Sequence, residues 1–150
     1  PAPEVEFLRQ GREGLSPCGR VQGLQHLQEV AGFTAYQIPG HSEATTCYLL
    51  QQGGRRILFA GDTVFANGVI GLINHPSSDL NRYRQNLPRL SGLGIDALLP
   101  GHGMVVLGRA QRHIDLAIHR LLHEPFMPPT VGQFGNTYVR PSDFPGGSQP

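Results

Sequence analysis

The chain has 150 residues, one ordinary domain's worth and enough for a hydrophobic core. A net charge of +1 favours neither a nucleic acid nor a membrane surface as partner, and no apolar run reaches the length of a membrane span. Gly (20) and Pro (13) are abundant, so turns and loops carry much of the chain.

Residues 5–8 suit a short strand, followed by a Gly- and Pro-punctuated loop to residue 20. Residues 21–31 suit a helix, with Leu24, Leu27 and Ala31 on one face and Gly32 in the left-handed position after its end. Residues 33–38 alternate like a strand and run into the Pro39-Gly40 turn. Residues 45–50 and 56–60 are β-rich, and Gly53-Gly54 between them predicts a hairpin. A long loop, 63–78, follows, of a length that suggests a functional role. Ser78 or Asp79 can cap the next helix, whose apolar face is Leu80, Tyr83, Leu87 and Leu90, with Pro88 predicting a kink or a broken last turn. Residues 95–99 make a buried strand. The clearest helical periodicity lies at 109–124, with Ile114, Ala117, Ile118, Leu121 and Leu122 on one face. The tail from Pro125 is irregular by composition.

Three turns stand out: Pro39-Gly40-His41-Ser42, Gly61-Asp62-Thr63 and Pro100-Gly101-His102-Gly103, each closing an apolar run. His41, Asp62 and His102 stand 21 and 40 positions apart along the chain. Neutral imidazole and carboxylate suit divalent zinc, iron or manganese. Neighbouring strands lie ~4.8 Å apart, so strand ends at a shared margin can present such ligands side by side. The glycines let the backbone turn sharply beside each ligand.

With the runs 59–65 and 97–103, these segments resemble the second half of a metallo-β-lactamase-fold hydrolase, in its glyoxalase II-like branch, over roughly residues 20–124. The resemblance implies an α/β chain forming the C-terminal half of an αββα sandwich. Residues 1–20 would be an irregular N-terminal segment, 21–124 the half-domain and 125–150 the tail. It also implies a binuclear metal site, zinc with iron or manganese as alternatives. Asp62 would bridge the metals, His41 would complete the first site and His102 the second. The implied reaction is hydrolysis of an ester, thioester, lactone or amide bond of a small-molecule substrate by a metal-bound hydroxide. His75, in the loop flanking the implied site, becomes a candidate substrate contact. The family's His-x-His-x-Asp-His cluster is absent, and Ser42 is followed by Glu43-Ala44 where the family has Pro-Gly. Three ligands over two sites leave each metal undercoordinated. The favoured reading is therefore a fragment of a longer hydrolase, inactive alone, whose missing N-terminal half or a partner chain brings the other ligands. Exposed apolar surface is expected where the second sheet of the sandwich packs.

Two rivals stand beside this reading. One is a mononuclear-iron persulfide dioxygenase of the same fold; the other is a non-catalytic half-domain. Plainer roles also exist for single residues. The trio can be ordinary turn formers. His119 and His123 suit a solvated helix face, His113 a structural role, and His26 an exposed position in mid-helix. Cys47 suits a buried core thiol. Cys18 and Cys47 match no CxxC pattern, and two free thiols in a cytoplasmic protein are the default against a disulfide. Arg55-Arg56 is a solvated hairpin-tip pair.

Overall fold

The computed structural model describes residues 5–6, 9–10, 22–124 and 130. Among the described residues, five strands form one sheet in chain order: β1 Glu29–Val30, β2 Phe33–Gln37, β3 Thr46–Gln52, β4 Arg55–Gly61 and β5 Ala97–Pro100. The first four pair antiparallel, and β4 pairs parallel with β5. Antiparallel neighbours need only tight turns, whereas a parallel pair needs a crossover. That crossover is the long loop, a 3-10 turn at Ala66–Gly68, helix α1 Leu80–Asn86 and a 3-10 turn at Leu87–Leu90; helix α2, Gln111–His123, follows β5. The architecture is mixed α/β, with one sheet and helices packed on one of its faces.

The period-2 alternation of strands divides the sheet into two unlike faces. Cys47, Leu49, Leu58, Ala60 and Leu98 are buried. They join a core with Leu80, Tyr83, Leu87 and Leu90 of the crossover and Ile114, Ala117 and Leu121 of α2. On the other face Phe33 stacks edge-on against Tyr48 and Phe59, with ring centroids 6.5 and 5.6 Å away. An open cavity of about 340 Å³ lies there, lined by Val30, Ala31, Phe33, Tyr48 and Phe59 and presenting only apolar surface. This is the exposed apolar surface expected of a half sandwich.

The Gly53-Gly54 hairpin forms with both glycines at positive φ, and Gln52 pairs with Arg55 across it. Asp79 caps α1, its side chain accepting from the N–H groups of Asn81 and Arg82. Such a cap is worth about 1 kcal/mol. Pro88, which cannot donate a helical hydrogen bond, sits where α1 gives way to the 3-10 turn.

Four local expectations need correction. The segment 21–31 is not a helix: Leu27 adopts φ 63°, and Glu29–Val30 forms a hairpin with β2 through Ala31-Gly32 at φ 49° and 83°. Gly32 is left-handed as expected, but in a two-residue hairpin turn, where pairing to β2 outweighs helical periodicity. Val5 and Glu6 are helical, as are Arg9 and Gln10, and the Gln10 amide bonds Glu6 one turn away. Leu122 is 47% exposed, because α2 buries the narrower stripe Ile114, Ala117 and Leu121. His26 is half-buried outside any helix, edge-on to Tyr36 and accepting from the Gln37 N–H. The loop 11–20, with Cys18, and the tail lie outside the described residues. The exception in the tail is Thr130, which is buried and bridged to Ile70. Among the described residues no helix is long and apolar enough to cross a membrane.

Candidate metal centre

Topology explains why remote residues meet. Parallel pairing puts the C-terminal ends of β4 and β5 at one sheet margin, where Asp62 and His102 follow immediately. Because β3 runs antiparallel to β4, its N-terminal end lies at the same margin, and the β2–β3 turn there carries His41. A backbone hydrogen bond from the Gly101 N–H to the Gly61 carbonyl, 2.7 Å, ties two of the turns together.

The Asp62 carboxylate lies between the two imidazoles. Its Oδ1 accepts from His102 Nδ1 at 2.8 Å, and its Oδ2 is 3.8 Å from His41 Nε2. On the far side of its ring, His41 Nδ1 donates to the Gly71 carbonyl at 2.5 Å. A carbonyl can only accept, so this bond fixes the Nδ1–H tautomer and leaves the Nε2 lone pair facing Asp62. The carboxylate likewise makes His102 Nδ1 the donor and leaves its Nε2 unprotonated in the neutral ring. His102 is 78% exposed, whereas His41 and Asp62 are about one-quarter exposed. All three border an open cavity of about 390 Å³ that Ala44, Thr45, Thr46 and Tyr48 also line.

Two glycines are required by these close approaches. A Cβ on Gly101 would lie 2.7 Å from Asp62 Oδ1, and one on Gly71 would collide with the Asp62 carbonyl. Cys47 lies beneath, fully buried, its Sγ beside Thr63 Oγ1 at 3.3 Å. Burial pushes its thiol up to about 12, more than the Thr63 hydrogen bond lowers it, so Cys47 is an inert core thiol.

The donors suit a divalent cation in kind: two imidazoles each with an unprotonated Nε2, one of them oriented by a backbone carbonyl, and a carboxylate with two oxygens. They fall short in number and closure. Among the described residues no group of three His, Cys, Asp or Glu side chains has the arrangement that holds an ion. Binding a cation at Asp62 Oδ1 would compete with the His102 hydrogen bond. His75 is exposed, bonds Ser77 through Nδ1 and does not line the cavity. His119 and His123 lie on the exposed side of α2 with ring centroids 5.2 Å apart. His113 accepts from the Asn67 N–H. Sequence reasoning passed over Gly71 and Tyr48, since neither a backbone carbonyl that accepts from a histidine nor a rim aromatic leaves a residue-type signature.

The metallo-beta-lactamase superfamily model matches residues 3–102. The chain belongs to that superfamily. Among its relatives, the atrochrysone carboxyl ACP thioesterase of Aspergillus fumigatus is 36% identical over 92 residues, 61% of this chain and 27% of that protein. The hydroxyacylglutathione hydrolase of Francisella tularensis subsp. tularensis is 38% identical over 68 residues, 43% of this chain and 26% of that protein. This superfamily member thus spans about a quarter of the length of the curated relatives it matches. The crystal structure of TTHA1623 in a di-iron-bound form superposes with a TM-score of 0.53 and 26% identity, covering 76% of this chain and 54% of that one.

Proposed function

We propose that this chain carries one half of the active site of a metal-dependent hydrolase, with residues 21–124 as the half-domain. The bond cleaved is an ester, thioester, lactone or amide of a small-molecule substrate. The observation that carries the reading is the Asp62 carboxylate set between His41 and His102 at the mouth of a cavity. The named activities of the two relatives, a thioesterase and a hydroxyacylglutathione hydrolase, support hydrolysis and put thioesters first among the substrates to try.

In this reading Asp62 would be the ligand shared between two cations, with His41 Nε2 serving the first and His102 the second. Zinc suits the donors, and the di-iron form of TTHA1623 supports iron as the alternative. A bound divalent cation supplies a Lewis acid and lowers the pKa of a water from 15.7 to about 7. The chain's own contribution is orientation. Gly71 holds the His41 ring, Gly101 makes room for the carboxylate, and Thr45, Thr46 and Tyr48 form a wall against which substrate can rest. Residues beyond the trio must complete the ligand set, and a polypeptide unit that covers the open Phe33–Tyr48–Phe59 face is suited to bring them. Tyr48 lines both that face and the cavity, so the covering unit would also roof the site.

The test is metal content and thioester hydrolysis in the chain joined to such a unit. Replacing groups that merely orient ligands typically costs 10–100-fold, so His41→Ala, Asp62→Ala and His102→Ala should each lower turnover by at least ~100-fold and deplete bound metal. Wild-type turnover in Asp62→Ala would refute the proposal.

A further inference from the structure

The two turns that carry His41 and Asp62 are both fastened to one side chain of α1. Tyr83 is fully buried, and its ring lies so close to the His41 turn that a Cβ on Gly40 would come within 2.6 Å of its Cγ and Cδ2. Its hydroxyl donates to the Asp62 backbone carbonyl at 3.3 Å, and Gly71 packs so tightly on that same carbonyl that a Cβ there would collide with it. Gly71 in turn receives the His41 Nδ1 hydrogen bond. The helix start braces the same turn, because the Asp79 N–H and the Ser78 hydroxyl both donate to the Gly40 carbonyl, at 2.8 and 3.2 Å. A leucine would fill an apolar helix face as well as a tyrosine. A buried phenol must instead be given a hydrogen-bond partner, and the one found here is the backbone carbonyl of a proposed ligand, packed against the residue that orients another.

We infer that Tyr83 is a positioning residue, setting the separation of His41 and Asp62 and the orientation of the His41 ring from beneath the site. The inference rests on the proposed function only for the ligand roles of those two residues. It accounts for why the turn before His41 needs glycine at position 40, and why a tyrosine stands in the otherwise aliphatic stripe Leu80, Leu87 and Leu90.

Tyr83→Phe keeps the ring and removes the hydroxyl. In the wild-type chain, nitrogen NMR at pH 8 should find His41 in a single Nδ1–H tautomer. In Tyr83→Phe the two tautomers should mix, and zinc affinity should fall about 10-fold, the lower end of the range for groups that orient ligands. Ile114→Val, a core change on α2 remote from the site, should lower stability and leave the His41 signals alone. If Tyr83→Phe does not fold, Gly40→Ala should produce the same tautomer mixing by pushing the ring from the other side. Unchanged His41 signals and zinc affinity in Tyr83→Phe, or equal changes in Ile114→Val, would overturn the inference. Absence of hydrolysis in the chain joined to its covering unit, alongside the tautomer change, would count against the proposed reaction and leave the positioning role standing.

Discussion

The two faces of this sheet are made from the same strands and have opposite fates. Leu58 and Phe59 are consecutive residues of β4, yet Leu58 is fully buried under the helices and Phe59 is 36% exposed. The covered face joins the buried hydrophobic core, and the other presents aromatic rings to an open cavity. The difference teaches where the site's supports come from. Gly71 and Tyr83, on the helix side, hold His41 and Asp62, whereas the open side lends Thr46 and Tyr48 to the cavity wall. The site is half supported because the sheet is half covered.

Substitutions can break this comparison. Leu58→Ala should cost about 2–5 kcal/mol by leaving a cavity under the helices, while Phe59→Ala on the next residue should cost far less, as measured by urea denaturation. Equal costs would mean that the open face is already packed. Gly101→Ala should follow, at about 1–3 kcal/mol for forcing a methyl against Asp62 Oδ1, with greater loss of metal affinity than of stability. Phe59→Glu should reduce self-association in sedimentation velocity without lowering the melting temperature, because a charge on an uncovered apolar patch disfavours contact between copies.

The smallest effect concerns pH. His113 is held below its usual value of 6.5, by burial first and then by the Arg112 charge. Its Nδ1 accepts from the Asn67 N–H and cannot do so when protonated. The unfolded chain therefore takes up this proton at higher pH than the folded one. Stability from this group is complete above 6.5 and is lost as pH falls through the folded value. His26, also lowered by burial and then by Arg89, acts in the same direction. Thermal denaturation between pH 7.5 and 5.5 should show a declining midpoint, and His113→Gln should flatten part of the decline.

Much of this was legible in the sequence, and for identifiable reasons. The Gly53-Gly54 hairpin, the Asp79 cap and the break at Pro88 are encoded within a few residues, so local chemistry suffices to read them. The convergence of His41, Asp62 and His102 was legible because each ends an apolar run at a turn. What misled was the window 21–31, whose leucine spacing imitates a helix, while its real partner, β2, is recognised only through long-range pairing. Leu122 misled for a related reason, since periodicity marks a face but not how wide a strip the neighbours cover. The roles of Gly71 and Tyr83 were invisible because they act through a backbone carbonyl and a buried hydroxyl whose partners lie in distant turns.

The most direct measurement is a cobalt(II) titration of the chain, followed by visible absorption and by the histidine NMR signals. The account predicts that His41 and His102 respond together, and that Asp62→Ala abolishes their joint response. A response confined to the exposed His119 and His123 pair, or one at His41 and His102 that survives Asp62→Ala, would contradict it.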